Sequence, residues 1–183
     1  MSRLAIPESI DEAPAASREM LGHAAAKSGR LATMLRLLSV SPVALEGFLG
    51  LRATLARGTL GPAMAQRIAL AVSEANRAPY CVSAQIFRAR RVVGLDDAEI
   101  TANRNGASND PRADAAVHFA AKIVRTHAEI SDEDLSELKS AGFSDSEIVE
   151  IVAQVALTIF ANYVGKIGDA DLDFPAIALR KAS

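Results

Sequence analysis

Residues 62–91, PAMAQRIALAVSEANRAPYCVSAQIFRARR, constrain the fold more than any other stretch. A helical run ends near Asn76, breaks at Arg77–Ala78–Pro79 and restarts with Tyr80 and Cys81. Proline suits a first helical position, where no backbone donor is needed. Cys81, the only cysteine in the chain, then falls in the first turn of the second helix. Free backbone N–H groups point outward there and favour a thiolate, the reactive form of sulfur. Connections this short set neighbouring helices antiparallel.

The rest of the chain reads the same way. Ala13–Lys27 is helical and stops at Ser28–Gly29. Arg30–Leu38 continues, with Met34, Leu35 and Leu38 on one side. Ser41–Pro42 is an N-cap followed by proline, opening a helix to about Arg57. Pro62 starts the next, with Ile68, Val72 and Ala75 facing the core. The helix from Pro79 runs to about Val93 and stops at Gly94. Asp96 opens a short helix, and Asn103–Pro111 is a polar loop. Arg112–His127 is helical, with Val117, Ala120, Ala121 and Val124 on one stripe. Ser131 with Asp134, and Ser144 with Glu147, form two capping boxes. They open helices over 131–141 and from Asp145 to about Gly165. The last is the most hydrophobic element and the expected spine, with Ile148, Ile151, Val152, Val155, Ile159 and Phe160 directed inward. No stretch alternates as a strand does. Residues 1–10 read as an arm, and the tail from Gly168 as a segment that docks by its apolar residues.

Composition supports a single all-α domain over residues 1–183. Half the residues are hydrophobic, aromatics are 4% and tryptophan is absent, which suits close-packed helices. The formal charge of −2 gives no reason to expect a nucleic-acid partner, and Arg88–Arg90–Arg91 reads as a solvated helix face. One cysteine rules out a disulfide within the chain and fits a reducing compartment. The opening MSRLAIPESIDEAP has no apolar run of the signal-peptide kind. Ile148–Val164 carries Glu150, Gln154 and Asn162, so it reads as a core helix and not a membrane span. A soluble cytoplasmic protein is the expectation.

The 62–91 stretch resembles the core motif of the alkylhydroperoxidase D (AhpD)-like and carboxymuconolactone decarboxylase family. Its peroxidase members carry a glutamate, a C-x-x-C pair and a histidine four residues past the second cysteine. Laid on this chain, the second cysteine falls on Cys81 and the first on Ala78. The histidine falls on Gln85 and the glutamate on Gln66. The likeness extends to the Ser41–Pro42 helix start, the Gly142 turn, Asn162 and the Asp173–Phe174–Pro175 tail. It implies the family's helical fold, assembly as a homo-oligomer (dimer, trimer or hexamer) and no cofactor. It also implies a peroxiredoxin-like oxidoreductase that takes a small hydroperoxide and an external thiol reductant.

Three of the four family positions depart from the pattern, and the chemistry follows from what stands there. Gln66 and Gln85 form hydrogen bonds but exchange no protons near neutral pH. Gln85 lies one turn past Cys81 and could hold a water or a substrate oxygen. Ala78 removes the resolving thiol, so an oxidised Cys81 needs a thiol from outside or from another subunit. Tyr80 adds a hydroxyl whose ordinary pKa of about 10 makes a poor base. Arg77 and Arg88 are candidate thiolate-stabilising cations. A non-catalytic small-molecule binding or redox-sensing protein is the alternative, and a decarboxylase a weaker one. His23, His118 and His127 share no ligand spacing, so no metal site is expected.

Overall fold

The computed structural model describes residues 2–180, with backbone only at Lys27 and Ser28. Among these residues it contains nine α-helices, one π-helical turn and no strand, the all-α fold expected. In order they are α1 (Ala15–Ser28), α2 (Thr33–Leu38), α3 (Pro42–Leu55), α4 (Gly61–Ala75) and α5 (Pro79–Arg88). A π-turn (Ala89–Val93) follows, then α6 (Asp97–Arg104), α7 (Pro111–Thr126), α8 (Asp132–Ser140) and α9 (Asp145–Gly168).

Caps explain most boundaries. Ser41 accepts from the Ala44 N–H with Pro42 at the first position, as the sequence anticipates. Asp96 caps α6 by accepting from Glu99 N–H at 2.7 Å. Both capping boxes form, Ser131 with Asp134 and Ser144 with Glu147. The helix expected over 30–38 begins only at Thr33, whose N–H donates to the Asp173 carboxylate of the tail at 2.9 Å. That partner is remote in sequence, so no local signal marks it. The expected end of the Pro79 helix is also modified, its last five residues widening into the π-turn.

The centre of the fold is α4, not α9 as expected. It packs against α5, α6, α7 and α9. Residues 68–74 of it are all buried, and alanines 69 and 71 let neighbours approach closely. α9 is long and apolar enough to cross a membrane by length and composition alone. It packs instead as a core helix against α2, α3, α4, α5 and α7. Its buried stripe is Ile148, Ile151, Val155, Thr158, Asn162 and Gly165. At 3.6 residues per turn, Val152 and Phe160 fall off that arc. Both are exposed, against expectation, Val152 by 45% and Phe160 by 36%. Glu150 reaches from α9 to the start of α4 and accepts from the Thr59 and Leu60 N–H groups at 2.8 and 3.3 Å.

The two ends of the chain close over α5 and α9. Ser2 Oγ and Arg3 N–H donate to the Gly168 carbonyl. In the tail, Phe174 packs edge-on against Tyr80 (centroids 5.8 Å) and beside Phe87 (5.3 Å), with the Arg30 guanidinium 4.3 Å from its ring. Ile177 and Leu179 pack on the cluster around Leu70 and Ile86. The tail docks through apolar residues, as expected, and through Asp173 as well; residues 181–183 lie outside the described chain.

Candidate functional site

The break between α4 and α5 builds the site. Arg77 adopts a left-handed backbone, φ 51°, which few non-glycine residues hold. The chain thereby turns sharply, Ala78 N–H donates back to the Ser73 carbonyl at 3.1 Å, and Pro79 starts α5. Cys81 is its third residue and only 4% exposed. The residue nevertheless borders open space. It lines a cavity of about 530 Å³, within the usual range for small-molecule sites.

The floor of that cavity is buried: Ala78, Tyr80, Cys81, Asn162 and Gly165. A methyl group on Gly165 would sit 3.9 Å from Cys81 Sγ. The place a side chain would take there is filled by Met34, whose Cε would lie 2.7 Å from it. The rim is exposed and charged: Arg3, Arg77, Lys166 and Asp169.

Electrostatics correct one expectation. The helix start was expected to favour a thiolate, but burial pushes the Cys81 thiol up to about 11, with a hydrogen bond from Asn162 working the other way. Removing an anion from water outweighs what a first helical turn returns. Tyr80 is likewise held protonated, first by burial and then by the Asp173 carboxylate beside it, against the Met34 N–H that donates to its oxygen at 3.2 Å.

Gln66 and Gln85 do come together. Gln66 Nε2 donates to Gln85 Oε1 at 2.9 Å and to the Gln85 carbonyl at 3.0 Å. Arg88 makes a long contact to Gln66 Oε1 at 3.5 Å. Neither glutamine lines the Cys81 cavity, and Arg88 does not either, whereas Arg77 does. The basic cluster at 88–91 divides: Arg88 is half-buried beside Gln66, while exposed Arg90 pairs with Asp97 at 2.7 Å.

Two functional groups were not singled out as site residues by sequence reasoning. Asn162 is fully buried, accepts from Asn76 Nδ2 at 3.0 Å and donates to Ser73 Oγ at 3.2 Å. Lys166 lies one turn further along α9 and donates to the Asn76 carbonyl at 3.0 Å. A polar pair at i, i+4 in the most apolar helix was the available signal. Among the described residues no three His, Cys, Asp or Glu side chains gather as a metal site would require, and His23, His118 and His127 are all exposed.

Comparison with known proteins gives the same picture. Residues 42–123, spanning α3 to most of α7, match the model of the carboxymuconolactone decarboxylase family. No curated protein matches the sequence. An uncharacterized peroxidase-related protein from Silicibacter sp. TM1040 superposes with TM-score 0.80 at 24% identity, over 93% of this chain and 91% of that one. An AhpD-core peroxidase-related protein from Ralstonia eutropha JMP134 gives 0.78 at 23%, over 94% and 92%. A cysteine-to-alanine form of the debrominase Bmp8, in complex with 2,3,4-tribromopyrrole, gives 0.79 at 22%, over 94% of each chain. These identities speak for a shared fold. Residues 42–123 are thus similar to the carboxymuconolactone decarboxylase family, and the chain as a whole shares the fold of the AhpD-like structures.

Proposed function

We propose that the protein is a thiol-dependent peroxide reductase of the one-cysteine kind, slow compared with relatives that carry the full motif. The observation that carries this reading is Cys81 on the floor of a cavity, with the Asn162 amide on its sulfur. In the reaction the sulfur attacks the outer oxygen of a hydroperoxide and the O–O bond breaks. Cys81 becomes a sulfenic acid and the substrate leaves as an alcohol, taking the thiol proton. Two equivalents of external thiol then restore Cys81, giving a disulfide and water. With the thiol near 11, the thiolate fraction at pH 7 is on the order of one in ten thousand, so the rate is correspondingly low.

The test is peroxide consumption with dithiothreitol. Wild type should exceed the uncatalysed background and Cys81→Ser should not. Background rates in both would remove the reading. One observation favours the second reading, a non-catalytic small-molecule binding protein. Gln66 and Gln85 direct their hydrogen bonds at each other and handle no proton for the sulfur. Cavity binding without turnover would decide for it. On either reading we propose a homo-oligomeric assembly, which the exposed apolar side chains Val149, Val152, Tyr163 and Ile167 along α9 support.

A further inference from the structure

We propose that the Cys81 cavity selects a small organic anion, a carboxylate-bearing molecule held at its charged end by the rim. The inference rests on this cavity being the working site, but not on peroxide turnover.

The rim carries three cations, Arg3, Arg77 and Lys166, against one acid, Asp169, in a chain whose formal charge is −2. None of the three meets a carboxylate in an ion pair, whereas seven other cations in the described chain do. Exposed lysines and arginines are ordinarily solvated and mobile. Two of these are fixed. Lys166 Nζ donates to the Asn76 carbonyl at 3.0 Å, and an Arg77 guanidinium N–H donates to the Arg180 carbonyl at 3.2 Å. Neutral carbonyls hold the cations in place without cancelling their charge. Arg77 also keeps its left-handed backbone, φ 51°, at the mouth of the cavity, and strained positions of this kind cluster at ligand clamps. The ammonium offers a point charge and the guanidinium a planar fork suited to a carboxylate. Below them the floor is small and largely apolar, with Ala78, the Tyr80 ring and Gly165 around the sulfur. A ligand would therefore place its anionic end at the rim and its uncharged part toward Cys81. Unpaired charges around a concave low-dielectric surface raise the local concentration of opposite charge by roughly tenfold or more.

Alkylation of Cys81 reads this preference without any peroxide. Iodoacetate and iodoacetamide alkylate the thiol by the same step: sulfur displaces iodide, a C–S bond forms, and the thiol proton goes to solvent. Their rate ratio at one pH is independent of how much thiolate is present. We expect the iodoacetate-to-iodoacetamide ratio at Cys81 to exceed that of free glutathione by about tenfold at low salt. It should fall toward the glutathione ratio in 1 M sodium chloride, and in Lys166→Gln and Arg77→Asn. The salt arm uses the wild-type protein, so it stands if a variant does not fold. A ratio equal to or below that of glutathione at low salt overturns the proposal, as does failure of both reagents to reach the sulfur. A high ratio with no peroxidase activity keeps the anion site and removes the peroxidase.

Discussion

Asn162 on α9 donates its side-chain amide to the sulfur of Cys81 on α5, from a position with no solvent exposure. Its orientation is fixed by Asn76, which donates to the Asn162 oxygen and leaves the amide nitrogen for Ser73 and the sulfur. This gives the thiol a neutral donor where the family pattern would supply an acid–base pair. Asn162→Asp keeps the shape, removes the donor and adds a carboxylate next to Sγ. The alkylation midpoint of Cys81 should move upward from that of wild type. Leaving Ser73 and Asn76 mismatched should also cost about 1–3 kcal/mol in denaturant unfolding. An unchanged midpoint would mean that Asn162 serves packing alone.

Titration of Cys81 provides a second check. Its pKa is about 11 in the folded protein, against an ordinary value of 9.0. The folded state therefore holds the proton more tightly than the unfolded chain. Stability from this source is full below pH 9 and is lost as pH rises from 9 toward 11. Urea unfolding across that range should show a decline in wild type that Cys81→Ala lacks.

Acid stability should depend on Glu99. Burial opposes its ionisation, but donors from Ser108, the Asn109 N–H, Asn103 and Arg67 outweigh this and hold the carboxyl at about 2, against 4.5 ordinarily. A depressed pKa gives stability that is full above pH 4.5 and lost as pH falls toward 2. Glu99→Gln should lower stability at pH 7, by about 1–3 kcal/mol, and flatten the profile between pH 4.5 and 2. Chemical denaturation at stepped pH measures both.

The tail is part of the site's wall. Phe174 lies against Tyr80, Phe87 and Arg30, and Ala170 and Leu172 line the cavity. Phe174→Ala should lower the unfolding free energy by about 1–3 kcal/mol, less than for a fully buried ring. Loosening the wall should also speed alkylation of Cys81. Slower or unchanged alkylation would show that the tail does not cover the sulfur.

Gly165 lets the end of Met34 pack against α9 beside Cys81. An alanine there would meet Met34 Cε at 2.7 Å, the free end of a flexible side chain. Gly165→Ala should therefore fold, gaining helix propensity of up to about 1 kcal/mol, while slowing bulky alkylating reagents more than small ones. Equal slowing of both would place the entry route elsewhere.

Much of this was legible in the chain itself, where the determinants are local. Ser41–Pro42, Asp96, Ser131 and Ser144 mark helix starts because a cap and its partner lie within three residues. Ala78 and Cys81 were placed by Pro79, which follows the one and precedes the other. What escaped was set by remote partners. Asp173 caps Thr33 across 140 positions, and Asn162 reaches Ser73 across 89. The inward face of α9 was misjudged because an apolar helix offers more hydrophobic positions than its neighbours cover, so Val152 and Phe160 were assigned to the wrong side. The state of the thiol was misjudged for a related reason: a helix start is visible in sequence, and the depth at which it is buried is not.

The most direct measurement of the central claim is a single turnover. Reduced protein is mixed with one equivalent of cumene hydroperoxide and quenched with dimedone, and Cys81 is examined by peptide mass spectrometry. The account predicts a dimedone adduct on Cys81 and an equal amount of cumyl alcohol. Unmodified Cys81 with the hydroperoxide intact would contradict it.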